Sequence, residues 1–63
     1  MEISIQTEEI QPGDVISGWG PRHDRNATVL SVKRYFDSVR VITDAFPSVN
    51  QYKKGRTITV NRG

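Results

Sequence analysis

Ile3 and Ile5 alternate with Glu2, Ser4 and Gln6, the two-residue period of a half-buried strand, so the first element is predicted over residues 2–6. After Thr7-Glu8-Glu9-Ile10 comes Gln11-Pro12-Gly13-Asp14. There proline presets the first central position of a turn and glycine permits positive φ at the next. A short β-branched strand follows over Asp14–Ser17. The stretch from Gly18 to Asn26 shows neither period nor strand formers and reads as a long loop. From Ala27 to Arg34 and from Val39 to Asp44 the chain is rich in Val, Ile, Thr and Leu, with Tyr35-Phe36-Asp37-Ser38 between, which predicts a hairpin. Pairing Leu30, Val32 and Arg34 with Thr43, Val41 and Val39 gathers the apolar residues on one face and sets Lys33 beside Arg40 on the other. Thr57–Asn61 alternates again as a last strand, and Ser48–Tyr52 forms at most a short pairing segment before it. Pro12, Pro21, Pro47 and the strand-forming runs interrupt every window that could hold a three-turn helix.

Five short strands joined mostly by tight turns predict an all-β fold, a small five-stranded, partly open barrel of SH3-like type with an OB-like barrel as the alternative. The expected core is Ile3, Ile5, Ile10, Val15, Leu30, Val32, Val39, Val41, Ile58 and Val60. A chain of 63 residues has room for one domain, 1–63, and no second core. With no cysteine it has neither disulfides nor the common structural zinc sets, so good packing or self-association must stabilise it. No apolar run is long enough to span a membrane and no signal-peptide pattern opens the chain, which predicts a cytoplasmic protein without a membrane partner.

Ile10-Gln11-Pro12-Gly13-Asp14-Val15-Ile16 resembles the opening of several small β-rich modules. With Val29-Leu30-Ser31-Val32, the Val39–Asp44 strand and the terminal Thr-Ile-Thr-Val, the layout over residues 10–62 looks like short uncharacterised proteins of actinobacteria and their bacteriophages. The resemblance implies an SH3-like barrel, in the host cytoplasm if phage-encoded, and brings no activity with it. The acidic, tyrosine-rich groove of eukaryotic SH3 domains has no counterpart here, which argues against recognition of polyproline.

Charge divides the chain: residues 1–21 hold four acids and no base, whereas residues 22–63 hold all nine Lys and Arg against three acids. Two readings are open. A basic surface formed by Arg22, Arg25, Lys33, Arg40, Lys53, Lys54 and Arg56 would bind the phosphates of DNA or RNA. Alternatively, the acids and bases pair across a small barrel and matter little. Trp19, between two glycines, could plug one end of the barrel or anchor a protein interface. With Tyr35, Phe36, Phe46 and Tyr52 it supplies the aromatic side chains for such an interface. With a single histidine, His23, no cysteine nucleophile and scattered carboxylates, the sequence predicts no enzyme, no metal site and no cofactor. The leading expectation is a binding module acting through protein contacts, with a partner or with its own copy. Nucleic-acid binding through the basic residues is the alternative.

Overall fold

A computed structural model describes residues 1–63. It is all-β: β1 (Glu2–Gln6), a single 3₁₀ turn (Thr7–Glu9), β2 (Val15–Trp19), β3 (Arg25–Arg34), β4 (Ser38–Thr43), β5 (Val49–Lys53) and β6 (Thr57–Asn61). The six strands form one antiparallel sheet in the order β1-β6-β2-β3-β4-β5. The five-stranded expectation is corrected by β5, which pairs with β4 over its whole length, from Ser38↔Lys53 to Ile42↔Val49. The sheet is not closed, since β1 and β5 are its two edges and do not pair.

The Gln11–Asp14 turn forms as its residues dictate, with Gly13 at φ +94° and the Asp14 N–H donating to the Gln11 carbonyl at 3.2 Å. Asp14 is buried. Its carboxylate accepts two bonds from the Arg62 guanidinium, both at 2.8 Å, and one from the Gln11 N–H at 3.0 Å. This ion pair joins the turn before β2 to the chain after β6. The Arg62 hydrogen bonds hold the Asp14 pKa below the usual carboxylate value, outweighing the burial that pushes it up, and the Gln11 N–H adds to the lowering. A depressed carboxylate pKa stabilises the fold above the unfolded-state value near 3.9, and the gain is lost as pH falls through the folded-state value. Stability should therefore decline on acidification below about pH 4. Asp14→Asn should cost about 1–3 kcal/mol at neutral pH and flatten that part of the profile, as read from urea midpoints at several pH values.

Two irregularities decide which side chains face inward. Between Ile16 and Trp19 the β2–β3 register slips by one, at Gly18 with φ +73°, so Trp19 pairs with Arg25 and turns to the same inner side as Ile16. The expected nine-residue loop from Gly18 to Asn26 is thus shorter, because β2 runs on to Trp19 and β3 begins at Arg25. A second slip lies between Val29 and Ser31. Val32↔Val41, Lys33↔Arg40 and Arg34↔Val39 pair as predicted, but Val29 rather than Leu30 stands opposite Thr43. Leu30 is consequently 56% exposed and leaves the expected core.

The physical reason is that β3 serves two partners. Residues toward its start pair with β2, those toward its end pair with β4, and the bulge lets Ala27 and Val29 face inward in the first half and Val32 in the second. The buried core is Ile10, Ile16, Trp19, Ala27, Val29, Val39, Val41 and Val60, with Ile3, Ile5, Val32 and Ile58 packed against it as partly buried residues. Val15, expected inside, is partly exposed.

Candidate functional site

The β3–β4 hairpin carries the most concentrated arrangement of charge and aromatic surface. Its two-residue tip, Phe36-Asp37, is closed by the Tyr35 N–H donating to the Ser38 carbonyl at 2.8 Å, and Phe36 is 99% exposed there. Alternation along β4 buries Val39 and Val41 and turns Arg40 and Ile42 outward. Cross-strand pairing puts Lys33 directly beside Arg40 and Gln51 on the far side of Arg40, while Lys53 lies one row away opposite Ser38. The Gln51 side-chain amide donates to the Ser38 hydroxyl at 2.8 Å, tying β4 and β5 together on this outer face.

Tyr35 sits under both cations: the Lys33 Nζ lies 5.6 Å and the Arg40 guanidinium carbon 5.7 Å from its ring centroid. Two like charges directly across a strand pair repel by up to about 1 kcal/mol, and the contact of both with the ring offsets part of that. No carboxylate joins them, because the one ion pair in the molecule is Asp14–Arg62. Lys54 extends the cationic surface at the same end, where its N–H donates to the Asp37 carbonyl at 3.1 Å.

Asp37 lies at the hairpin tip, and three other acids are held elsewhere. Glu9 accepts the Gln6 N–H, and Asp44 accepts the Thr28 N–H. Glu8 accepts the Gly55 N–H at 2.8 Å; that bond is the main cause of its lowered pKa, with Lys54 a smaller one. Arg34 is also removed from the surface set: its guanidinium spans the 3₁₀ turn by donating to the Glu8 and Ile10 carbonyls at 3.0 and 2.9 Å.

Toward the other end of the outer face the charge gives way to an apolar trio. Leu30, 56% exposed at the bulge, lies near the paired Ile42 and Val49, which are 36% and 46% exposed.

The seven basic residues singled out from the sequence do not converge on one face. Lys33, Arg40, Lys53 and Lys54 share the hairpin end, and Arg56 follows in the β5–β6 turn beside them. Arg22 and Arg25 lie at the opposite end of β3, roughly 25 Å from Lys33 along an extended strand, where they line a separate shallow hollow with Pro21, Asp24 and Phe46.

The five aromatics do not form one patch either. Tyr35 and Phe36 are at the hairpin tip and Phe46 is exposed among the opposite loops. Trp19 is 4% exposed and its indole N–H donates to the Pro47 carbonyl at 2.6 Å, so it serves as an internal plug and not as an exposed anchor.

Trp19 and half-buried Tyr52 instead line a cleft of about 630 Å³ bounded by β5, β6 and residues 16–20 at the end of β2, with His23, Pro47, Asn50 and Ile58 also in its wall. Burial pushes the Tyr52 hydroxyl pKa up, opposed by the Asn50 side chain. The sequence reading missed this cleft. The pairing of β6 with β2 ends after two residues, and no local pattern announces that.

No helix is long and apolar enough to cross a membrane. Comparison of the chain with protein-family models, curated proteins and solved structures finds no match, so no family is assigned and the functional reading rests on the geometry of the outer face and the cleft.

Proposed function

We propose that the protein is a non-catalytic binding module that takes a single-stranded nucleic acid across the outer face of β3, β4 and β5, in a partly open barrel of SH3-like type. The observation that carries this reading is the Lys33–Tyr35–Arg40 stack, with Lys53 in the next row and no carboxylate paired to any of them. A cluster of unneutralised cations across adjacent strands disfavours the isolated fold and is relieved by a polyanion, whose binding releases condensed counterions. Fully exposed Phe36 supplies a flat surface on which an unstacked base rests, worth about 1–3 kcal/mol, while the Tyr35 ring holds Lys33 and Arg40 in place. Such stacking requires bases that are free of a duplex, which is why the reading is of a single strand. A cytoplasmic location, the host's if the chain is phage-encoded, is part of the same proposal.

The test is amide chemical-shift mapping with a short oligothymidylate at low salt. Perturbations centred on Lys33, Tyr35, Phe36, Arg40 and Lys53 are expected. Perturbations centred on Arg22, Arg25 and Phe46, or none at all, would overturn the assignment.

The exposed trio Leu30, Ile42 and Val49 favours a second reading. A protein partner, or a second copy of the chain, could seat its apolar residues on that trio. Association of that kind would depend on the trio and respond weakly to salt, whereas the nucleic-acid reading requires a steep salt dependence.

A further inference from the structure

We propose that the cleft between β5 and β6 is a second binding site, which takes an extended, basic peptide segment as an added strand. The turn between Lys53 and Thr57 brings β5 and β6 together in sequence, yet the two strands do not pair. β5 bonds only to β4, and β6 meets β2 only at Val60 and Asn61, which leaves the β2-facing edge of Thr57–Thr59 open. Thr7 holds the closed end of this splayed hairpin: its hydroxyl donates to the Lys53 carbonyl at 2.6 Å and its N–H to the Arg56 carbonyl at 2.9 Å. Beyond Thr7 the arms part around the cleft.

Unpaired strand edges are templates for another strand, and natural sheets commonly blunt them. Here the blunting is visible. The Gln51 N–H, on the free side of β5, is accepted by the side-chain oxygen of its neighbour Asn50 at 2.9 Å, a bond that stands in for the missing strand. An arriving peptide carbonyl would replace that side chain, and Asn50 would swing aside. Ile16, Ile58 and the edges of Trp19 and Tyr52 give an apolar seat for every second side chain of the segment.

Charge sets the preferred sequence. In a chain of net charge +2, the cleft is lined by one carboxylate, Glu2, and by no lysine or arginine, His23 being its one basic side chain, so a segment carrying Lys or Arg is matched to Glu2. Only Gln51 is common to both, its backbone on this edge and its side chain beside Arg40; no cation of the Lys33–Arg40 face lines the cleft, so the site stands or falls independently of nucleic-acid binding.

Because strand addition works through the main chain, a generic probe tests it: a capped six-residue peptide of alternating Val and Thr with one central Lys. Titration into the full chain should shift the amides of Gln51, Tyr52, Thr57 and Thr59 and the Trp19 indole, leaving Lys33 and Arg40 unmoved. Asn50→Ala frees the Gln51 N–H and should tighten binding about three- to tenfold. The same peptide with every backbone amide N-methylated should not bind, and exchange of its Lys for Glu should weaken binding several-fold. The proposal is overturned by absence of shifts at millimolar probe, or by equal binding of the N-methylated peptide. It is equally overturned if a folded Asn50→Ala variant binds more weakly than the parent, and equal binding of the Glu peptide would contradict the charge preference.

Discussion

Replacing Lys33 and Arg40 together by glutamine is expected to weaken binding of a single-stranded oligonucleotide about 100-fold at 50 mM salt while leaving the fold intact. On single strands each phosphate contact contributes about 0.7 of a decade in affinity per decade of salt. Between a 1 M reference and 50 mM, one contact is therefore worth roughly tenfold. Both side chains point away from the core, and Val39 and Val41, which flank Arg40 in β4, are buried on the other side of the sheet. Loss of two cation–π contacts, about 0.5–1 kcal/mol each, is offset in part by relief of the Lys33–Arg40 repulsion. The thermal midpoint should move by only a few degrees. Arg22→Gln with Arg25→Gln is the matched control, since it removes the same charge at the far end of β3 and should cost much less affinity. Equal losses from the two pairs would mean that net charge, and not the hairpin face, governs binding.

Trp19→Ala carries the largest expected effect on stability. The side chain is almost wholly buried in the core cluster, and its indole N–H bonds the Pro47 carbonyl, which fastens the β4–β5 loop to the end of β2. Truncating a buried tryptophan costs about 3–5 kcal/mol. At roughly 0.05–0.15 kcal/mol per residue, a domain of this length has only about 3–9 kcal/mol in total. The variant should lose about a third or more of that total, seen as a sharply lowered urea midpoint and, at the low end of the range, as loss of amide dispersion. Trp19→Phe keeps most of the packing but removes the N–H donor, and should cost about 1–3 kcal/mol. A loss below about 1 kcal/mol for Trp19→Ala would remove Trp19 from the core.

Trp19 also shows where local pattern stops being informative. Between Gly18 and Gly20 nothing nearby suggests burial, and only the slip at Gly18 turns the side chain inward. Leu30 fails in the opposite sense. Strict alternation with Val32 assigns it to the core, whereas the bulge that lets β3 serve both β2 and β4 expels it. Bulges are set by the partners on either side of a strand, and those partners are distant in sequence.

What depends on neighbours was legible: the Gln11–Asp14 turn, β1, β6 and the hairpin register from Val32 to Arg34. Through that register the Lys33–Arg40 adjacency was legible too. The placement of the Tyr35 ring against both cations was not, because it depends on how the side chain folds back from the hairpin tip. Nor could charge counts reveal that Arg34 and Arg62 are consumed by backbone carbonyls and Asp14 while Lys33, Arg40 and Lys53 stay without a carboxylate partner. The N-terminal acids answer some of the C-terminal bases, as Asp14 does Arg62 and Glu8 more weakly does Lys54, and leave Lys33, Arg40 and Lys53 without a carboxylate partner.

The central claim is that the hairpin-end cations bind phosphates, and the salt dependence of oligonucleotide affinity tests it most directly. With Lys33, Arg40, Lys53 and Lys54 each on one phosphate, the logarithm of affinity should fall with the logarithm of salt at a slope of about −3, shrinking by about 1.4 when Lys33 and Arg40 are both replaced. A slope near zero, or a slope unchanged by that replacement, would contradict the account.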